Sequence, residues 1–205
     1  MTYIRNEKID NVESWVWLKD ENGVWDGPSK EWKSQYKEIF LSLLKDKKCV
    51  IQAGGALGMY PRLMSDIFDV VYTFEPDPLS FYCLVQNCQK DNIYKYQAAL
   101  GGSHAMVEVI RTNMENVGMN RVKQNENFYT PQLMIDDLNL KQCDMIALDV
   151  EGYEFNALVG GLNTIATHKP LIIVENDTVE VKDILSQYGY IKKTQHCADS
   201  FYVVP

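Results

Sequence analysis

The stretch Cys49-Val-Ile-Gln-Ala-Gly-Gly-Ala-Leu-Gly-Met-Tyr-Pro61, followed by Val70-Val-Tyr-Thr-Phe-Glu-Pro-Asp77, decides the fold. It reads as buried strand, glycine turn, helix, second strand and acid. Cys49 to Ala53 is short, apolar and bounded by glycine, as a strand covered on both faces should be. Gly54, Gly55 and Gly58 let the chain turn sharply, let backbone approach a ligand and let helix pack close to strand. Glu75 ends the second strand about 20 residues after the turn, where a carboxylate can accept hydrogen bonds from both hydroxyls of a ribose. Ala53 to Gly58 matches the dinucleotide-binding fingerprint only with Ala in place of its first glycine. A tight turn with no ligand is the competing reading, and the spacing of Glu75 weighs against it.

Working outward, strand and helix patterns alternate. Trp32, Tyr36, Ile39, Phe40 and Leu43 fall at helical spacing before the first strand. A helix over Tyr60 to Phe68 and another carrying Phe81, Leu84, Val85 and Cys88 follow the glycine turn and Glu75. A third strand is expected near Tyr94 to Leu100, and Met106 to Arg111 alternates weakly. Asn113 to Pro131 is polar and aperiodic, and reads as a long loop of the kind that is functional or mobile. Leu133 to Leu140 suggests a short helix. Asp144 to Asp149 is a buried strand ending in a carboxylate. The helix after it carries Phe155, Leu158, Leu162 and Ile165 as its inner stripe. Leu171 to Val174 is a further strand ending in acids, Glu175 and Asp177. A helix through Val181 to Tyr188 and terminal strands at Tyr190 to Thr194 and Phe201 to Val204 complete the chain.

This pattern predicts an α/β fold with a mostly parallel, doubly wound sheet. The expected organisation is one domain over residues 1–205, with a tryptophan-rich arm and helix over 1–47 and the core over 48–205. Crossovers are right-handed, so the segments after the strands collect on one edge, where such sheets bind ligands. Gly54–Gly58, Glu75–Asp77, Asp149–Glu151 and Glu175–Asp177 should meet there.

The 205 residues suffice for one sizeable core. A formal charge of −8 argues against a large phosphate-binding face, so nucleic acid is not an expected partner. Five cysteines without Cys-x-x-Cys spacing suit a reducing compartment. The first residues do not read as a signal peptide, and no apolar run approaches membrane-spanning length. A cytoplasmic location with no membrane partner is expected; the oligomeric state is not legible. Trp15, Trp17 and Trp25 lie in an irregular aromatic arm that either covers the core or walls an acceptor pocket.

Asp149-Val-Glu-Gly-Tyr-Glu-Phe155 with Leu158 and Gly160 resembles the signature of the FkbM-type S-adenosylmethionine-dependent methyltransferases. So do Phe74-Glu75-Pro76, with Leu84 and Asn87 downstream, and the Ala99-Leu100-Gly101 turn. The resemblance covers about Cys49 to Pro205. It implies a Rossmann-like methyltransferase fold, usually of seven strands with the last reversed, and O-methylation of a hydroxyl-bearing small molecule, often a sugar. It also implies that Gly54, Gly55 and Gly58 line the methionine part of S-adenosylmethionine and that Glu75 holds its ribose. Pro76 and Ala99, in the same motifs, join the cofactor-binding candidates. Gln52 stands where the family usually has an acid that anchors the cofactor's amino group, and Ala56 stands where it usually has Asn.

Methyl transfer to oxygen needs acceptor, methyl and sulfur in line with water excluded, and a base for the hydroxyl proton. Asp149 is a candidate to anchor the methionyl end or to act near the methyl. Glu151 and Glu175 are candidates to hold the acceptor or take its proton. The same three carboxylates would suit Mg²⁺ or Mn²⁺, a reading disfavoured by the lack of an accompanying histidine in sequence. Plainer roles compete: Glu151 and Glu154 as helix N-terminal caps, and Glu175 as a solvated loop acid. His196 returns to the active edge if the strand at Tyr190 to Thr194 is parallel to the rest, and is then a candidate base; otherwise it is an exposed loop residue. A nicotinamide-dependent oxidoreductase and a non-catalytic cofactor-binding scaffold remain the alternative functions.

Overall fold

The structure, a computed structural model, describes residues 4–9, 13–18, 30–111, 120–124 and 130–205. In chain order, β1 (Ile4–Ile9) and β2 (Glu13–Leu18) form a hairpin, and α1 (Lys30–Leu43) leads into β3 (Cys49–Ala53). Next come α2 (Met59–Met64), β4 (Val70–Phe74), α3 (Pro78–Asn87) and β5 (Ile93–Tyr96). Four short strands follow: β6 (Ala99–Leu100), β7 (Ala105–Ile110), β8 (Arg121–Gln124) and β9 (Thr130–Leu133). After a 3₁₀ turn over Ile135–Leu138 come β10 (Met145–Leu148), α4 (Glu154–Val159), α5 (Leu162–His168) and β11 (Leu171–Val174). The chain closes with α6 (Val179–Gln187), β12 (Ile191–His196) and β13 (Asp199–Val203).

The main sheet has seven strands in the order β12-β13-β11-β10-β3-β4-β5. All neighbours pair parallel except β13, which runs antiparallel to both β11 and β12. The last strand of the chain is therefore the reversed one, and β12 keeps the common direction. Alternate strand residues feed two cores, as a sheet covered on both faces requires. Ile51, Phe74, Ile146 and Ile172 pack with Leu158, Ile165 and Leu185 on one face. Val50, Val71, Met145 and Ile173 pack with Phe40, Met64 and Leu84 on the other.

Three expectations are corrected. The aromatic arm is not irregular over its described part: β1 and β2 pair antiparallel, and Trp15 and Trp17 are buried on one side of β2 against Leu57 and Cys83. Trp25 lies outside the described residues. The expected loop contains β8 and runs into β9, and these join β6 and β7 in a second sheet of order β6-β9-β7-β8. Residues 112–119 and 125–129 of that stretch are not described. The expected helix after Asp149 is two helices, because the chain breaks at Gly160. A Cβ there would lie 2.0 Å from the Gly101 carbonyl oxygen, so only glycine lets the Gly101 turn approach this closely. Phe155, expected on the inner stripe, faces outward, 36% exposed. No helix among the described residues is long and apolar enough to cross a membrane.

Candidate active site at the carboxyl edge of the sheet

The glycine turn leaves β3 at Ala53. Gly54 and Gly58 have φ of +81° and +96°, backbone that side chains other than glycine's rarely adopt. The Gly54 and Gly55 amides both donate to the Phe74 carbonyl, at 3.1 and 2.9 Å, and Gly58 N–H closes the turn on the Gly55 carbonyl at 2.8 Å. A Cβ on Gly55 would lie 2.4 Å from Leu84 Cδ1 and 2.8 Å from Thr73 Oγ1. One on Gly54 would lie 1.8 Å from the Asp149 carbonyl oxygen. These glycines therefore let the turn pack against α3 and against the strand end that carries Asp149.

Glu75 points at this turn. Its Oε2 accepts from Ala56 N–H and its Oε1 from Asp77 N–H, both at 2.8 Å. Burial pushes its pKa up to about 7; the two amides pull it down and Asp77 adds repulsion. Asp77 itself caps α3 through the Leu79 and Ser80 amides and pairs with Arg111 at 2.7 Å. The Pro76 carbonyl accepts from the Thr130 hydroxyl on β9. Ala99, on β6, is buried and pairs with Gln132 of the same β9, so the second sheet braces both of these candidate residues. Gln52 is buried beneath the turn. Its Nε2 donates to the Ala53 and Gly54 carbonyls at 3.1 and 2.9 Å, and its Oε1 accepts from the Thr73 hydroxyl at 2.6 Å.

Asp149 and Glu175 directly follow Leu148 and Val174, which are register partners in β10 and β11. Parallel pairing alone thus sets the two acids side by side. Glu151 joins them: each of the three places a carboxylate oxygen within 4.8 Å of the others. Two successive left-handed residues, Glu151 at φ +54° and Gly152 at φ +95°, turn the loop. Strain of this kind clusters at functional sites. Burial raises the Asp149 pKa well above the carboxylate range, and the charge of Glu175 and a hydrogen bond shared with it raise it further. Glu151 is raised by burial and by Glu175, against the pull of Arg121.

Glu154, the last acid of the motif, plays another part. It is buried, and its Oε1 gathers the Val150 and Gly152 amides at 3.2 and 3.3 Å and the Asn176 side chain at 3.3 Å. Asp177 also turns to structure, accepting from Lys192 at 2.8 Å, Ser200 at 3.2 Å and the Tyr202 hydroxyl.

Because β12 is parallel to the sheet, His196 does end at the active edge. It is the register partner of Asp199 across the terminal hairpin. Its Nε2 is buried with no hydrogen-bond partner among the described residues. Asp199 is the site residue that sequence reading missed. It shares a small cleft with Tyr36, Gln52, Tyr60 and Asp149. Burial, then Glu175, raises its pKa to about 7. The readable signal was the reversed last strand, since the first residue of such a strand lies at the edge where the other strands end.

Strand order and the reversed last strand together define the Rossmann-like fold of class I methyltransferases. Residues 59–192 match the Methyltransferase FkbM domain, so the chain belongs to the FkbM methyltransferase family. A methyltransferase FkbM from Methylobacillus flagellatus KT is similar in structure, with a TM-score of 0.54 and 17% identity over 79% of this chain. This chain spans only 45% of that protein's length. An N-methyltransferase NodS from Bradyrhizobium japonicum aligns at a TM-score of 0.47 and 11% identity, covering 88% of this chain and 98% of its own. An rRNA methylase from Streptococcus thermophilus aligns at 0.45 and 9%, covering 82% and 92%. Among curated proteins none matches the chain.

Proposed function

We propose that this chain transfers a methyl group from S-adenosylmethionine to a hydroxyl oxygen of a small molecule, a sugar being the acceptor class that the family resemblance favours. The observation that carries the reading is the hydrogen bond joining the glycine turn to Glu75, next to converging carboxylates on the edge where such sheets bind ligands. The residues fit the cofactor's chemistry. Glu75 is a buried carboxylate with its charged form disfavoured, and in this reading it accepts from the ribose hydroxyls. Asp149 and Asp199 crowd negative charge in one cleft, which a cation would relieve. Gln52 spends both amide hydrogens on Ala53 and Gly54, so the anchoring of the amino group falls to Asp149 rather than to Gln52.

When bound, S-adenosylmethionine supplies a methyl on a positively charged sulfur. This chain's own residues orient the acceptor and remove its proton. Glu175 and Glu151 hold the acceptor hydroxyl, and proton removal falls to Glu175 or to His196, whose Nε2 has no competing partner among the described residues. All five cysteines are free, which supports a reducing, cytoplasmic setting.

Calorimetry with S-adenosylmethionine, S-adenosylhomocysteine and NAD tests the reading. Binding of the two sulfur compounds and not of NAD is expected. NAD binding alone points to an oxidoreductase. Binding of the sulfur compounds without turnover on any hydroxyl acceptor points to a non-catalytic scaffold. The convergence of Asp149, Glu151 and Glu175 within 4.8 Å also favours a second reading, a divalent cation held by these oxygens. Mg²⁺ or Mn²⁺ titration with and without chelator decides it.

A further inference from the structure

We propose that Asn87 is a positioning residue that fastens the N-terminal hairpin to the glycine turn, so that the hairpin sets the turn's shape for its ligand; this rests on the cofactor reading above.

Asn87 is the last residue of α3 and is buried, 5% exposed. Its Oδ1 accepts from Val16 N–H at 2.8 Å, and its Nδ2 donates to the Val16 carbonyl at 2.9 Å. The same Nδ2 donates to the Leu57 carbonyl at 2.6 Å. Both amide hydrogens and the oxygen are thus used. Asp offers no donor here, Ser is too short and Gln is one methylene too long. Val16 is the register partner of Asn6 in β1. A strand residue's N–H and C=O point to the same side, so Val16 turns both away from β1. Asn87 satisfies them as a third strand would.

The apolar contacts run the same way. Trp15 and Trp17 of β2 pack on Leu57 and Cys83, and the Arg62 guanidinium on α2 lies 4.6 Å over the Trp15 ring. Leu57 sits between Ala56, whose N–H is held by Glu75, and Gly58, whose N–H is held by Gly55. The turn is therefore gripped from one side by the Glu75 carboxylate and from the other by Asn87 and the hairpin. A Cβ on Gly58 would lie 2.8 Å from Cys88 Sγ and 3.4 Å from Asn87 Cβ, so the turn has no room to shift toward α3. Val16 and Leu57 both precede residue 59, where the family match begins, so the hairpin's part in the site is assigned by these contacts alone.

The test uses the full chain with Asn87→Ala and, separately, Val16→Pro, which removes the hairpin's N–H but leaves Asn87 and Leu57 unchanged. Amide hydrogen exchange at residues 56–58 and calorimetric affinity for S-adenosylhomocysteine are the readouts. Both variants should exchange about tenfold faster at Ala56 and Gly58 and bind about tenfold more weakly, with exchange in β10 and β11 unchanged. If Val16→Pro frees the hairpin but leaves turn exchange and affinity as in the parent, the coupling is wrong, whatever Asn87→Ala does to folding. If the parent protein binds no S-adenosylhomocysteine, the cofactor reading fails, and the exchange arm still decides the clamp.

Discussion

Replacing Glu75 by Gln should change stability in a way that depends on pH. In the folded chain both carboxylate oxygens accept backbone N–H groups at 2.8 Å. Gln keeps one acceptor and turns an NH₂ toward the other amide, which loses its partner in a buried place; that costs about 2–3 kcal/mol. The ionised carboxylate carries a cost of its own. Burial raises its pKa from 4.5 to about 7, a gap that corresponds to about 3 kcal/mol. Because the folded pKa lies above the unfolded one, the folded state holds the proton more tightly. Its contribution is fully present below pH 4.5 and is lost as pH rises through 7. Glu75→Gln removes this dependence. Urea unfolding of the ligand-free proteins should therefore show Glu75→Gln clearly less stable at pH 5, with the gap narrowing by about 3 kcal/mol by pH 8. Parallel stability curves across that range would refute the argument that Glu75 carries a buried, disfavoured charge.

Three further outcomes follow from the same geometry. Gly55→Ala forces a methyl against Leu84 Cδ1 at 2.4 Å and Thr73 Oγ1 at 2.8 Å, and Thr73 is tied to Gln52; thermal unfolding should register a loss of about 1–3 kcal/mol. Asp149→Asn should be at least as stable as the parent above pH 7, since it removes a crowded buried charge whose folded pKa lies above its unfolded value, yet calorimetry should show lost affinity for S-adenosylhomocysteine. Glu154→Ala releases the Val150 and Gly152 amides and should cost about 2 kcal/mol in urea unfolding, with increased protease cutting at residues 150–153.

The core of the fold was legible because its signals are local. Cys49–Ala53, Val70–Phe74 and Leu171–Val174 are continuous apolar runs, and they became central strands with the expected bounds. What was missed depended on contacts far along the chain. Trp15 and Trp17 have strand spacing, but β1 beside them is Ile-Arg-Asn-Glu-Lys-Ile and carries little apolar pattern. β9 contains Pro131, which argues against a strand, and it is tolerated in a small sheet where β9 pairs for only part of its length on each side. The helix breaks at Gly160 and Gly161, and the Gly101 backbone that packs on Gly160 comes from almost 60 residues earlier, a contact no helical period reports.

The candidate site divides along the same line. Gly54, Glu75, Asp149 and Glu175 follow strand ends, and a parallel sheet must bring strand ends together; their convergence follows from strand direction alone. What each acid does could not. Glu154 and Asp177 lie in the same motifs as Glu151 and Glu175, yet they serve backbone amides and lysines, because the side chain's direction and not its position in the motif decides its partners. Asp199 escaped for the opposite reason: it lies in no motif, and only the antiparallel entry of β13 delivers it to the cleft beside Asp149. His196 reaches that edge because β12 runs with the sheet, and Asp199 reaches it because β13 runs against it, which makes the two register partners. A last strand parallel to the others would begin at the opposite edge and leave Asp199 at the far end of the sheet.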